Sequence, residues 1–456
     1  MSLYKIQEKL FMRIQLSEHF NYGKLIRFVF PSITMMIFTS IYGVVDGIFV
    51  SNFVGKIPFA AINLMMPLFM ILASIGFMIG TGGSAIVAKT IGEGDMRRAN
   101  RYFSLFVYAT LIGGTLITVI GQIFLKQAAM LFGAEGEMLD CCIRYGRITI
   151  SAMPFFMLQN VFQSFFVTAE KPKLGLYVII LAGVTNMVLD ALLVAVIPLG
   201  LEGAALATAI SQAVGGLVPI IYFVRKNDSL LKLTGTRFYG RVMLKTCTNG
   251  SSELMSNISA SIVTILFNYQ LMKYAGDNGV AAYGVVMYVA FIIAAIFIGY
   301  SIGVAPAISY NFGARNGTEM KNIFKRSVVI ILGTSLVMTA LSFLLAYPLS
   351  AIFVYYDKAL LDITVKGFRI FSFSFLFCGL NIFGSAFFTS LNNGIVSAII
   401  SFMRTFVFQC IGVLTLPLLF KDGLEGVWLS IIVSEGLAFM LTLILIFANK
   451  KKYGYM

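Results

Sequence analysis

Apolar residues in this chain gather in long unbroken runs, and short turns rich in Gly, Asn and charged residues separate one run from the next. The runs fall at roughly 26–50, 60–88, 102–125, 145–168, 174–199, 203–224, 248–272, 279–309, 327–347, 363–391, 395–419 and 426–448. Each holds about 20 residues or more, and at ~1.5 Å per residue a helix of that length crosses ~30 Å of hydrocarbon. A membrane β-strand would instead alternate apolar and polar positions over about 10 residues. The pattern predicts an all-α polytopic membrane protein with twelve transmembrane helices.

Composition agrees: 59% of the 456 residues are hydrophobic and 12% charged, with a mean hydropathy of +0.89, outside the balance of soluble domains. A net charge of +14 would suit nucleic acid, but its distribution has a membrane reason. With a cytoplasmic N-terminus, one side of the membrane collects 24 of the 34 basic residues, among them Lys5, Lys9, Arg13, Arg97, Arg98, Lys171, Arg225, Lys245, Arg315 and Lys450 to Lys452. The other side receives nine, and Arg404 falls inside a run. This positive-inside bias places both termini in the cytoplasm and requires an even number of spans. The basic, amphipathic first residues show no small-residue cleavage site, so no removable signal peptide is expected. The cysteines, Cys141, Cys142, Cys247, Cys378 and Cys410, show no metal or disulfide spacing.

The sequence also repeats itself at an offset of about 221 residues. Gly55, Ala60, Met66, Gly82 and Gly92 fall on Gly276, Ala281, Met287, Gly303 and Gly313, and GLEG recurs at 200–203 and 423–426. Six spans per repeat give both halves the same orientation, hence two six-helix lobes related by a pseudo-two-fold axis along the membrane normal. The expected organisation is an N-terminal lobe at 1–224, a basic linker at 225–245 and a C-terminal lobe at 246–456.

An ionisable group at mid-bilayer costs roughly 2.5–3.5 kcal/mol even on the lenient insertion scale, so each one in a span needs a reason. Asp190 has Asn186 one helical turn earlier, on the same face. Thr208 on span six, with Gln163 and Asn160 on span four, adds oxygens and amides able to solvate a carboxylate or to ligate a cation. Asp46 has Tyr42 at the same spacing, and Pro31 earlier in the span removes an amide hydrogen and permits a kink, making span one a candidate moving part. Glu253 lies near the start of span seven, and Glu435 in span twelve is placed to pair with Arg404 in span eleven. The repeat sharpens the choice. The counterparts of Asn186 and Asp190 are Gln409 and Val413, so the acid is confined to the first half, as expected of a coupling site rather than of architecture.

The motifs resemble those of the multidrug and toxic compound extrusion family: Pro31 with IYGVVDGIFV at 41–50, GEGD at 92–95, FFVTAEKPK at 165–173, NMVLD at 186–190, GLEGAALATAIS at 200–211, FFTSLNNG at 387–394 and GLEGVWLSIIVSE at 423–435. The resemblance spans essentially the whole chain. It implies a V-shaped pair of six-helix bundles that exports cationic amphipathic compounds in exchange for protons or sodium ions. It further maps a cation-coupling network onto Asp46, Gln163, Asn186, Asp190 and Thr208, with Pro31 at the bend of span one. Gln163 stands where one family branch carries asparagine, and Glu170 replaces a glycine expected in the turn after span four. Sodium, if bound, falls to Asp46, Asn186, Asp190 and Thr208, while two neighbouring carboxylates that titrate as a coupled pair suit a proton-driven cycle.

The rival reading is a lipid-linked saccharide flippase of the same general architecture, which would line its cavity with several cations, where this chain has only Arg404. An enzyme is not expected, since His19 is the one histidine and lies outside the spans. No GxxxxGK[ST] loop for nucleotide drive is present. No cofactor is expected, and the partners are small organic cations and membrane lipids, with no nucleic acid and a monomeric chain in the cell membrane.

Overall fold

The computed structural model describes residues 14–421 and 423–456, without the side chains of Val44, Asp46, Gly47, Ile48, Ser51, Asn52 and Lys56. Lys5, Lys9 and Arg13 of the basic bias lie outside the described residues. Regular structure is helical throughout the described residues, and the apolar runs become the core of each helix. In order these are α1 (Tyr22–Phe53), α2 (Lys56–Gly92), α3 (Met96–Leu131), α4 (Gly136–Ser151 with Met153–Thr168), α5 (Pro172–Asp190, continued by a π-helical turn Ala191–Val196) and α6 (Gly200–Val224). A continuous stretch, Gly240–Gly313, follows. Its 74 residues would reach about 110 Å if straight, over three hydrocarbon thicknesses. The left-handed Gly276 (φ 59°, ψ −150°) divides it into α7 (240–275) and α8 (277–313). Then come α9 (Gly317–Leu344), a short helix Ala346–Val354, α10 (Lys358–Ser372 with Phe375–Ser390), α11 (Gly394–Phe402, a π turn Met403–Val407, Phe408–Leu419) and α12 (Gly423–Tyr453).

The duplication is written into the backbone. Gly276 is the counterpart of Gly55, which also has positive φ, and Gly94 corresponds in the same way to Arg315 and Glu170 to Asn392. The bends match too: α4 turns by 52° after Ser151 and α10 by 50° after Ser372. Twelve spans therefore form two six-helix lobes, α1–α6 and α7–α12.

Lipid tails are as apolar as leucine, so helices in a bilayer associate through close packing rather than through water exclusion. Small residues provide it here. A Cβ on Gly76 would come within 2.6 Å of the Met157 carbonyl, and one on Gly216 within 2.7 Å of the Phe155 carbonyl, seating α2 and α6 against the second half of α4. Aromatic rings fill the remaining space: Phe103 on α3 lies 4.9 Å from both Phe165 on α4 and Phe223 on α6. The segment after α6 folds back on α3, where Lys232 N donates to Asn100 Oδ1 at 2.8 Å and Thr234 N to Ser104 Oγ at 2.8 Å.

The lobes meet along a seam of glycines. A Cβ on Gly92 of α2 would overlap the Tyr310 carbonyl of α8, and one on Gly313 of α8 would overlap the Lys89 carbonyl of α2. Gly82 and Gly250 bring α2 onto α7, while Gly299 and Gly303 bring α8 onto Ile33, Ser32 and Val29 of α1. Asn249 on α7 bridges the lobes from its Nδ2 to Gly82 O at 3.4 Å and Thr389 O at 2.9 Å. These contacts occupy the helix halves nearest the chain ends. Leu16, Phe20 and Tyr455 share one core cluster, so both ends of the described chain lie on one face, here called the terminal face.

Candidate functional site

In the first lobe, the face of α5 that carries Asn186 and Asp190 turns inward: Asn186 is 2% exposed and Asp190 0%. Gly183, one turn earlier, lets α1 approach, since a Cβ there would meet Phe38 Cε1 at 2.5 Å and Tyr42 Cδ1 at 3.2 Å. The structure thus packs the Tyr42 ring of α1 against the helix face that holds Asn186 and Asp190. The Asp46 side chain lies outside the described atoms; its backbone continues α1 one turn beyond Tyr42. Helix α1 passes through the buried Pro31 without a break.

Asp190 sits at the junction where α5 widens into its π turn. A π turn carries one residue more than the α ladder needs, and such insertions recur at functional sites. Across from it, α6 contributes Thr208, half-buried, and Gln212 one turn later, buried. Helix α4 contributes Gln159, Asn160 and Gln163, all buried. Asn160 Nδ2 donates to Ala73 O of α2 at 3.4 Å. Gln163 lines a small void with Gln159, Phe166, Val178, Ile179 and Gly215. Ile179 precedes Asn186 by seven residues on α5, which sets Gln163 about 10 Å from Asn186 along that axis. Gln159, one turn back along α4, packs instead on α6 at Gly215.

The chemistry of this region is that of acceptors. Among the described residues, Gln163 Oε1, Asn186 Oδ1 and Gln212 Oε1 are buried with no hydrogen-bond donor. An unsatisfied buried carbonyl costs about 1–3 kcal/mol. Asn186 Oδ1, one helical turn from the buried Asp190, is the one of the three beside the carboxylate, and a cation or a proton donor would complete it. Among the described residues no group of three or more His, Cys, Asp or Glu side chains gathers, so the donor set is one of hard oxygens.

The second lobe is built differently. The π turn Met403–Val407 carries Arg404, whose Nε donates to Glu435 Oε1 at 2.9 Å and Oε2 at 3.0 Å. Asn381 Nδ2 on α10 donates to Glu435 Oε2 at 2.8 Å, Thr442 Oγ1 donates to Asn381 Oδ1 at 3.1 Å, and an Arg404 terminal nitrogen reaches Cys378 Sγ at 3.3 Å. This network is internally satisfied. Removing one partner of such a buried pair typically costs about 3–5 kcal/mol, whereas replacing both by apolar groups is often neutral or stabilising. Glu435→Leu is therefore expected to lower the melting temperature and the yield of folded protein. The double variant Arg404→Met with Glu435→Leu is expected to recover both, as read by thermal unfolding in detergent; a double variant as unstable as the single one would contradict the assignment. Glu253 lies apart from this network, half-buried on α7 one turn beyond the Gly250 contact.

Sequence reasoning did not single out Gln159, Gln212 or Asn381. The repeat contained the signal, because Gln212 aligns with Glu435 and Gln159 with Asn381 at the offset of about 222.

Comparisons with known proteins bear on this arrangement. The family model MatE matches twice, over residues 31–192 and 254–414. The multidrug export protein MepA of Staphylococcus saprophyticus is 25% identical over 428 residues, covering 93% of both chains, and that of Staphylococcus haemolyticus is 26% identical over 439 residues, covering 94% of both. Among solved structures, one titled as the outward-facing conformation of a multidrug resistance MATE family transporter superposes with a TM-score of 0.89 at 23% identity, covering 96% of this chain and 98% of that one. A MATE crystal structure in the bent conformation gives 0.86 over 95% of this chain. With the model matching both halves and twelve spans in two lobes, the chain belongs to the MatE family of multidrug efflux transporters.

Proposed function

We propose that the chain is a secondary antiporter of the cell membrane, monomeric, which exports small cationic amphipathic compounds in exchange for protons or sodium ions by alternating access. The observation that carries this reading is the asymmetry between the lobes: the first buries Asp190 one turn from Asn186, whose Oδ1 lacks a donor, while the counterpart of Asp190 in the second is Val413. Asp190, with Asn186, Thr208, Gln163 and Asp46, forms the coupling site, and substrate and ion exclude one another there. The ionised site attracts an organic cation; a proton or sodium ion neutralises it and releases the substrate. The basic bias supports a cytoplasmic terminal face, and we take residues 225–245 as the linker between lobes 1–224 and 246–456.

One charge moved through about 100 mV supplies about 2.3 kcal/mol, roughly fifty-fold in concentration. The test is transport in proteoliposomes of a fluorescent organic cation under an imposed pH or sodium gradient. The expected result is accumulation driven by one gradient and abolished by its collapse. Movement of a lipid-linked saccharide with no gradient-driven movement of the cation would favour the flippase reading instead.

A further inference from the structure

The chain before α1 is fastened to both lobes. Leu16 and Phe20 are each fully buried, in a cluster that includes Val167 of the first lobe and Val304, Ile323 and Phe324 of the second. The Leu16 N–H donates to Glu170 Oε1 at 2.8 Å, in the turn between α4 and α5. Four residues later the Phe20 N–H donates to Glu319 Oε1 at 2.9 Å, in the first turn of α9. His19 Nδ1 lies 2.7 Å from the other oxygen of Glu319. Asn322 Nδ2 donates to Phe20 O and to Glu319 Oε1, both at 2.8 Å.

Both carboxylates are buried, Glu170 at 7% and Glu319 at 6% exposure, so each is held in place where it meets the segment. Glu170 also adopts φ 57°, a left-handed conformation that a residue with a side chain occupies only at a cost. Its counterpart Asn392 shares that backbone without a carboxylate. The turn thus places an acid at a strained position, and that acid receives the Leu16 N–H. At the outer edge of the segment, Lys24 Nζ donates to Glu18 Oε2 at 2.8 Å, and that hydrogen bond holds the Glu18 carboxyl below its ordinary range.

We propose that residues 14–21 are a latch that holds the terminal face shut, with Glu170 and Glu319 as its catches on opposite lobes. Five residues, Leu16 to Phe20, span the two catches. When the lobes part on this face, as alternating access requires, the segment can follow only one of them, so a charge-assisted hydrogen bond must break and a buried apolar side chain must leave its socket. The latch therefore biases the resting protein toward closure on this face. This inference rests on the alternating-access reading above.

Hydrogen–deuterium exchange of the full chain in lipid nanodiscs tests it, comparing wild type, Glu319→Ala and Glu319→Gln. In the wild type, peptides over 14–21 are expected to be protected, along with the seam peptides over 82–92 and 303–313. In Glu319→Ala the latch peptide should exchange at least about tenfold faster and the seam peptides should lose protection with it. Glu319→Gln keeps an acceptor oxygen in the same volume and should lie between the two, which distinguishes an open latch from a misfolded protein. Unchanged protection of 14–21 in Glu319→Ala would overturn the proposal, as would a freed latch with seam protection and transport rate both unchanged. If saturating organic cation leaves the wild-type seam peptides unaltered, alternation itself fails and the latch with it, a result separable from failure in the variants alone.

Discussion

Asp190→Asn is expected to abolish gradient-driven export while leaving the protein folded. Asparagine matches aspartate in volume, so the packing of α5 against α1 is preserved and only the ionisable charge is lost. Asp190 is wholly buried, and asparagine keeps a carbonyl acceptor in the same volume, so the fold should survive the change. Coupling should not survive. A site that cannot change charge cannot exchange a proton for an organic cation, and the roughly fifty-fold accumulation that about 100 mV can support per charge should collapse toward unity. The measurement is the steady-state accumulation ratio in proteoliposomes, with thermal unfolding run in parallel. Undiminished accumulation by a well-folded Asp190→Asn protein would remove this residue from the coupling site. Loss of accumulation together with unfolding would make it architectural.

Gly92→Leu, or Gly313→Leu, should stop the cycle by a different route. In each case the new Cβ would overlap a backbone carbonyl of the facing helix, Tyr310 for the first and Lys89 for the second. Both carbonyls lie in the last turn of their helices, accepting from Ala314 N at 2.8 Å and Glu93 N at 2.9 Å, and a backbone so held cannot swing away as a flexible side chain can. Overpacking of this kind costs about 1–3 kcal/mol, and it bears only on the state in which α2 and α8 touch. At about 1.4 kcal/mol per factor of ten, the closed terminal face should be depleted about 5- to 140-fold. Spin labels at the exposed Arg97 and Thr318 positions, in a background without native cysteines, should show the lobes farther apart, and transport should fall at least about tenfold. Gly113→Ala is the control, since nothing lies within 4 Å of its Cβ position. Wild-type distances and rates in Gly92→Leu would show that the seam does not close during transport.

The spans were legible because a bilayer demands uninterrupted apolar helix, and a requirement that local leaves its mark on every segment. Their ends were less legible. The first halves of α4 and α10 carry Arg144, Arg147, Lys366 and Arg369 among apolar residues, so sequence reading begins those spans near 145 and 363, whereas the helices begin at Gly136 and Lys358. The pairing of Asn186 with Asp190 was readable from one-turn spacing alone. Gln163 was harder to place: its helix is correct, but facing residues on antiparallel helices are set by packing offsets that no spacing within α4 records. Arg404 and Glu435 are readable as partners because they are opposite charges within adjacent spans, whereas Asn381 and Cys378 complete that network from a helix whose polar residues look ordinary in sequence. The contacts of Leu16 and Phe20 with Glu170 and Glu319 join positions about 150 and 300 residues apart, and contacts so distant leave no periodicity to find.

The glycine seam has a further consequence. Gly92 meeting the turn before Gly313, and Gly313 meeting the turn before Gly92, is the geometry of an isologous dimer, in which one patch serves as its own complement. Two separate six-helix units would have to find that contact by diffusion. Here they are one molecule, and the segment that connects them is itself anchored along α3. Tethering of this kind replaces free diffusion by an effective concentration in the millimolar range or above. At that effective concentration the contact need not be strong enough to hold two separate chains together in order to close, and it can open again at every turnover.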